Sequence, residues 1–367
     1  MQLVPTINSQ TQMSFYPDDL LQAMRQQADP VADDLVTGLL QAGQRDALHH
    51  WWHPAPRNTD PLPPNLPNTL VQYLADTAKL PPWADQRRIR RGHRFFAAHA
   101  RSILSVLGCL SLPYCYAAAD GAQVLWLSQR IRQDTRRRLA ETGQFLLDVM
   151  APDAFAPTGR GVRSIQQVRL IHAVVRHYSG RSPQWQAAWG VPVNQEDMAG
   201  TNLAFSYIVL TGLRKLGVQW SKAEAEDYLY TWNVIGTMLG LDERLLPADL
   251  QQAYWLDRRI AARHFRRSEA GVGLTAALLQ SLHEINDSGT SRLFVNAYVR
   301  HLLGDEVADL LDVPAAPGGT ALVPAFRTVN LLGNLFASSD PARVSSELQR
   351  EISQQAETTF RLPGPFG

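Results

Sequence analysis

Lysine is scarce in this chain: Lys79, Lys215 and Lys222 are the only three in 367 residues. Cysteine is scarcer, with Cys109 and Cys115 alone. Two cysteines cannot build a disulfide framework, and their spacing fits no CxxC metal or redox pattern, so they read as buried core thiols. An excess of one charge is missing too. Lys and Arg number 35 against 34 Asp and Glu, a formal net charge of +1. A chain this near neutral has no overall electrostatic reason to bind nucleic acid or acidic lipid. Arg, Asp, Gln or Pro interrupts the apolar stretches before 18 residues, so no membrane span is expected. The start, MQLVPTINSQTQ, lacks basic residues followed by an apolar run; no signal peptide is read, and a cytoplasmic location is expected. Period-two alternation and Asn-Gly hairpin signals are absent, which argues against strands.

What is present is helical spacing, in a composition of 45 % hydrophobic and 19 % charged residues that is ordinary for a globular chain. Short amphipathic helices are predicted over 18–27, 31–42 and 68–78. The stretch from Trp51 to Pro67 carries six prolines and reads as a loop or wrapped arm. Longer helices follow over 84–107, 111–131, 134–150, 162–178, 194–215, 222–240, 247–265, 270–286, 291–311, 321–337 and 341–358. Asn194 is placed to cap its helix, with Glu196 and Asp197 on the positive dipole end. No solenoid repeat or linker composition appears. The chain is read as an all-α, single multi-helix domain over 1–367.

Several motifs fail on their own chemistry. His283-Glu284 begins an HExxH pattern, but Asp287 stands where the second histidine belongs. Gly271-Val272-Gly273 imitates a dinucleotide fingerprint without the preceding strand that such a site requires. No CxxCH is present, which excludes covalent c-type haem. His49 and His53 are four apart and share a face if helical, but Pro54 argues against a helix there, and packing or surface roles are favoured. Arg87, Arg88, Arg90, Arg91 and Arg94 scatter around a helix and read as solvated or internally paired.

Chemistry converges in Val162–His177, VRSIQQVRLIHAVVRH. Ile165, Val168, His172 and Val175 form one helical stripe, with Arg169 and Arg176 one turn to either side of His172. Two readings stand. Either His172 is a satisfied core histidine, or it ligates haem iron while Arg169 and Arg176 pair with the acidic propionates. In the preceding helix Arg138, Thr142, Phe145 and Val149 share a face. Glu141 is either one half of a surface ion pair with Arg137 or Arg138, or a pocket carboxylate able to move protons.

R-x-x-E-T-x-x-F-L-L-D (Arg138–Asp148) together with V-R-L-I-H-A-V-V-R-H (Val168–His177) resembles the bacterial latex-clearing protein family. So do G-V-P-V-N-Q-E-D (Gly190–Asp197) and L-R-K-L-G (Leu213–Gly217). The wider superfamily includes a fungal mycophenolic-acid-pathway oxygenase. The similarity spans about 83–311, leaving 1–82 as an N-terminal helical and Pro-rich extension and 312–367 as C-terminal helices. It implies a globin-like helical core holding haem b, and cleavage of a carbon–carbon double bond by O₂ into two carbonyl ends. On that resemblance His172 is the axial iron ligand, Arg169 and Arg176 flank it, and Arg138 and Thr142 lie near the distal pocket. Rubber-cleaving members carry Lys immediately before the Thr. Here that position is Glu141, which removes a candidate sixth ligand and points away from polymer rubber. The resemblance places an acidic base near Asp120.

The expectation is a haem b-dependent oxygenase acting with O₂ on a small apolar alkene or isoprenoid-like substrate. Glu141, Arg138 and Thr142 are the catalytic candidates, and His172, Arg169 and Arg176 hold the cofactor; the sequence names no electron donor. A haem-binding sensor or carrier without turnover is the alternative, and a haem-free helical scaffold the third reading.

Overall fold

Sixteen α-helices make up the described part of the chain. The computed structural model describes residues 15–51, 57–127, 135–285 and 292–318. The helices expected over 321–337 and 341–358, and His53, lie outside the described residues. In chain order the helices are α1 (Asp18–Arg25), α2 (Pro30–Gln41), α3 (Arg45–Trp51), α4 (Asn68–Asp76), α5 (Gln86–Val106) and α6 (Leu112–Tyr116). They continue with α7 (Ala119–Leu127), α8 (Thr135–Met150), α9 (Gly161–Ser179), α10 (Gln195–Phe205) and α11 (Tyr207–Lys215). The last are α12 (Lys222–Met238), α13 (Leu250–His264), α14 (Glu269–Ile285), α15 (Arg292–Leu303) and α16 (Asp305–Leu310). Among the described residues the only β pairing is an isolated antiparallel bridge between Ala118 and Phe265. The all-α class is as expected.

Side-chain caps explain four of the helix starts. Asp85 accepts a hydrogen bond from Arg87 N at 2.7 Å at the head of α5, and Asp249 one from Gln252 N at 2.8 Å at the head of α13. Ser221 and Glu224 form a reciprocal capping box on α12. Asn194 Oδ1 accepts from Asp197 N at 2.9 Å, as its sequence position suggested.

Four boundaries differ from the periodicity. The 111–131 pattern divides at Ala117–Ala118, where the chain pairs with Phe265. The 194–215 pattern breaks at Ser206 (φ −111°, ψ −84°), and the 291–311 pattern at Gly304 (φ +85°). The helix disfavoured around HHWWH forms in part: α3 includes His49 and His50 and ends at Trp51, three residues short of Pro54 in the sequence. The break in apolar runs was also overestimated. A continuous 31-residue helix from Gln86 to Tyr116 is long and apolar enough to cross a membrane, but 67 % of its most apolar window is buried inside the fold. It is the core helix. Its middle, Leu107–Ser111, is a π turn. Pro113 lies just beyond, has no N–H to give and crowds the carbonyl four residues back, so the ladder rearranges there.

The main core packs α5 against α12, with α8, α11, α14 and α15 around them. Gly92 sets the α5–α12 approach: a Cβ there would lie 2.1 Å from Thr231 Oγ1 and 2.7 Å from the Asp227 carbonyl. Arg88 and Arg91 of the basic run both reach Asp227 on α12, while Arg87, Arg90 and Arg94 are exposed, so the run is part paired and part solvated. Cys109 is buried in this core, Cys115 is half-buried, and burial pushes both thiols up to about 12. A second cluster joins α1, α10 and α13, and a third joins α2, α3 and α4 to one face of α9.

Candidate functional site

Two consecutive helices, α8 and α9, pack against each other and carry all six candidate residues. Their pairing is pinned by Asp148 near the end of α8. Buried there, it accepts hydrogen bonds from Ser164 Oγ at 2.5 Å and Gln144 Nε2 at 2.7 Å, while burial pushes its carboxyl above the usual range. The head of α9 has no capping side chain of its own, since Arg160 makes no cap bond. Asn58, from the Pro-rich arm, does that work. Its Oδ1 accepts from Val162 N at 3.1 Å and Arg163 N at 3.4 Å, and its Nδ2 donates to the carbonyls of Ala154 and Ala156.

The two faces of α9 differ. Leu170, Ala173 and Val174 are fully buried against α2 and α4. Val168, His172 and Val175, three members of the predicted stripe, keep partial accessibility, while Ile165 is sealed. His172 is therefore surrounded by protein yet not packed shut. Its Nδ1 is buried without a hydrogen-bond partner, and no carboxylate among the described residues touches the ring. That leaves Nε2 as the nitrogen open to a ligand. Desolvation, reinforced by the charges of Arg176 and Arg138, pulls the imidazole pKa down to about 3. The ring is neutral across the physiological range, with a lone pair available to a metal.

On α8, Arg138 and Thr142 share the face that continues to Phe145, and all three are half-buried. Arg138 pairs with no carboxylate among the described residues, so its charge is left for whatever faces it. Phe145 meets Phe205 edge-on, and Phe205 packs tilted against Trp232, which gives this side an aromatic wall. Glu141 accepts a hydrogen bond from Arg137 Nε at 3.0 Å and is partly exposed. This is the ion-pair arrangement rather than a carboxylate isolated in an apolar cavity.

The arginines flanking His172 are tied to α2. Arg169 gives Nε and Nη2 to Asp29 at 2.5 and 2.8 Å and Nη1 to the Met238 carbonyl at 3.2 Å. Arg176 gives Nε to Asp33 at 2.7 Å and Nη1 to the Val193 carbonyl at 3.2 Å, but its Nη2 is buried without a partner. The fork expected to meet a propionate is thus committed in Arg169 and open at one nitrogen in Arg176.

Asp120 proves to be part of a buried ionic cluster, not a free base. It pairs with Arg266 and lies 3.8 Å from both Arg25 Nη2 and His264 Nδ1. Burial alone would raise its carboxyl, but the neighbouring His264 and the charge of Arg266 outweigh that and hold it low. Glu196, fully buried, accepts from His264 Nε2 at 2.9 Å and Arg263 Nε at 2.7 Å, and Arg25 lies 3.0 Å from Asp197. Sequence reading missed Arg25, Asp29, Asp33 and His264, whose charged partners lie tens to more than a hundred residues away. It saw Glu196 only as a dipole charge.

The rejected motifs have structural roles. Gly271 lies against the Tyr116 carbonyl and Gly273 against the Trp126 ring, where added Cβ atoms would approach to 2.6 and 2.2 Å. The GVG triplet is a helix-crossing device. His283 and Glu284 border a separate concavity of about 460 Å³ that shares no lining residue with α8 or α9. No group of three or more His, Cys, Asp or Glu able to hold a metal ion occurs among the described residues.

Residues 98–333 match the family model described as the catalytic domain of ER-bound oxygenase mpaB/B′ and rubber oxygenase. The chain belongs to this family. Its mpaB/rubber-oxygenase catalytic domain contains both α8 and α9. A rubber oxygenase from Streptomyces sp. (strain K30) is 27 % identical over 292 residues, covering 79 % of this chain and 71 % of the relative. A solved structure of latex clearing protein LCP in the closed state superposes with a TM-score of 0.74 at 24 % identity, covering 90 % of this chain and 91 % of that one. That likeness shows the fold of this family member.

Proposed function

We propose that the chain is a haem b-dependent oxygenase that uses O₂ on an apolar alkene or isoprenoid-like substrate, with oxidative cleavage of the double bond as the reaction. The observation that carries this reading is His172: a neutral, deeply set imidazole with no described partner, on a helix face left partly open. Family membership and the rubber oxygenase relative support the oxygenase class.

The residues fit the cofactor. His172 would hold the iron through Nε2. Arg176 offers its unpartnered nitrogen to an acidic group at the porphyrin edge, and Arg169, occupied by Asp29, backs it with fixed charge. Bound haem supplies the iron centre at which O₂ is activated. Arg138, left without a carboxylate, orients and stabilises the negative charge that develops as O₂ is reduced. Thr142 is placed one turn further along the same face to donate a hydrogen bond. Glu141, held by Arg137, serves as the proton acceptor at the edge of the site. Phe145 and Phe205 keep that side dry and suit an apolar substrate. In double-bond cleavage both oxygen atoms enter the two carbonyl products, so the balance needs no outside reductant.

Absorption spectroscopy of the purified chain tests the cofactor. A Soret band in the wild type that is lost in His172→Ala is expected; absence of the band at any haem loading overturns the proposal. Mass spectrometry under ¹⁸O₂ then tests the reaction, with one labelled oxygen expected in each carbonyl fragment.

A further inference from the structure

The two arginines flanking His172 are held by Asp29, the N-cap of α2, and Asp33 in its first turn, both outside the 98–333 family match. Asp29 and Asp33 stand one turn apart at the head of α2, and Asp29 N donates to Asp33 Oδ2 at 3.3 Å. Arg169 and Arg176 stand two turns apart on α9 with His172 between them. The pairs Asp29–Arg169 and Asp33–Arg176 therefore clamp α2 across the histidine's turn of α9 at two points. The inner pair is seated over Gly240 (φ +89°), where a Cβ would come within 2.4 Å of Asp29 Oδ2 and 3.0 Å of Arg169 Nε. No side chain but glycine leaves room for it. The outer pair leaves Arg176 with its Nη1 on the Val193 carbonyl and its Nη2 buried and unpartnered.

We propose that Asp33, braced by Asp29, is a positioning residue for the cofactor side of the site: its carboxylate fixes the Arg176 guanidinium one turn past His172, neutralises it, and leaves one buried nitrogen free for an acidic group of the cofactor. The inference rests on the haem reading above. The electrostatic link follows from position, because Arg176 stands one turn from His172 on α9. In a buried setting such a charge is weakly screened, so losing its partner acts on the iron as well as on the fold.

The test uses the full chain reconstituted with haem, comparing wild type, Asp33→Asn, Asp33→Glu and Asn58→Ala. Asn58→Ala loosens the head of α9 without changing charge. The readout is the ferrous-to-ferric ratio of the bound iron at a fixed applied potential. Removing the Asp33 charge leaves Arg176 uncompensated and favours the less positive, ferrous form. Asp33→Asn is expected to shift the ratio about tenfold towards ferrous, or ~59 mV for a one-electron couple. Asp33→Glu and Asn58→Ala are expected to stay within about twofold of wild type, well inside that tenfold step. An unchanged ratio in Asp33→Asn, or an equal shift in Asn58→Ala, overturns the positioning role while leaving the haem reading intact. Should Asp33→Asn lose its haem, Asp33→Glu decides, and a shift there as large as tenfold overturns the role. A wild-type chain without a Soret band overturns both proposals.

Discussion

Two buried histidines in this fold are pushed in opposite directions. No carboxylate among the described residues pairs with His172, which is held neutral; His264 sits between Glu196 and Asp120. Burial alone would lower the His264 pKa, but the Asp120 carboxylate beside it and its bond to Glu196 outweigh that and raise it. A raised folded-state value stabilises the fold fully below the unfolded value of about 6.5, and that contribution is lost as pH rises through the folded value. The melting-temperature gap between wild type and His264→Gln is therefore expected to be widest near pH 6 and to narrow towards alkaline pH; a gap that widens with pH contradicts the assignment. Glu196→Gln should be the harsher change. It strips the charge from between Arg25, Arg263 and His264, and breaking a buried ionic network from one side costs about 3–5 kcal/mol, measurable by urea denaturation. Glu141→Gln is the contrasting case. Its pair with Arg137 is partly exposed and worth under about 1 kcal/mol, so melting should hardly move. As proton acceptor, however, its loss should cut turnover by about 10²–10⁴-fold in an O₂-uptake assay, with haem content unchanged.

At the scale of elements, the helices differ in where their ends are secured. α12 carries its own capping box, whereas α9 borrows Asn58 from a segment about a hundred residues earlier. Asn58→Ala removes two acceptor and two donor contacts at once. It is expected to destabilise the fold by about 1–2 kcal/mol, the range for a lost helix cap, and to raise hydrogen exchange first at Val162 and Arg163. This contrast also decides what could be read from sequence. The course of α8 and α9, and the grouping of Val168, His172 and Val175, follow from a 3.6-residue period that local spacing carries in full. The splits at Ser206 and Gly304 interrupt apolar patterns that run on across them, so periodicity alone reads through the breaks. The acids that hold Arg169 and Arg176 were illegible for another reason: Asp29 and Asp33 meet them across about 140 residues of sequence, and a single chain has no local signal for that encounter. Gly92 and Gly273 are similar. They occur mid-helix with no turn to justify them, and only the facing Thr231 and Trp126 explain why a side chain is excluded.

For the molecule as a whole, near-zero net charge conceals strong internal segregation. Positive groups at Arg25, Arg169, Arg176 and Arg263 are matched inside the fold by Asp29, Asp33, Glu196 and Asp197, and the clamps join the N-terminal helices to the family core. On the proposed haem reading, the clamps give the cofactor walls from both parts of the chain, and filling the site should tighten both. A ligand that binds only the folded state stabilises it by about 2.7 kcal/mol at a hundred times its dissociation constant. For a chain of this length that corresponds to a rise of about 4 °C in melting temperature. Haemin titrated into the apo-protein is expected to produce that rise in wild type and none in His172→Ala. Hydrogen exchange should slow in α2 as well as in α9, because the Asp33–Arg176 pair transmits the ordering across their interface. If protection appeared in α9 alone, α2 would be a passenger on the core and its acids would have no part in holding the cofactor.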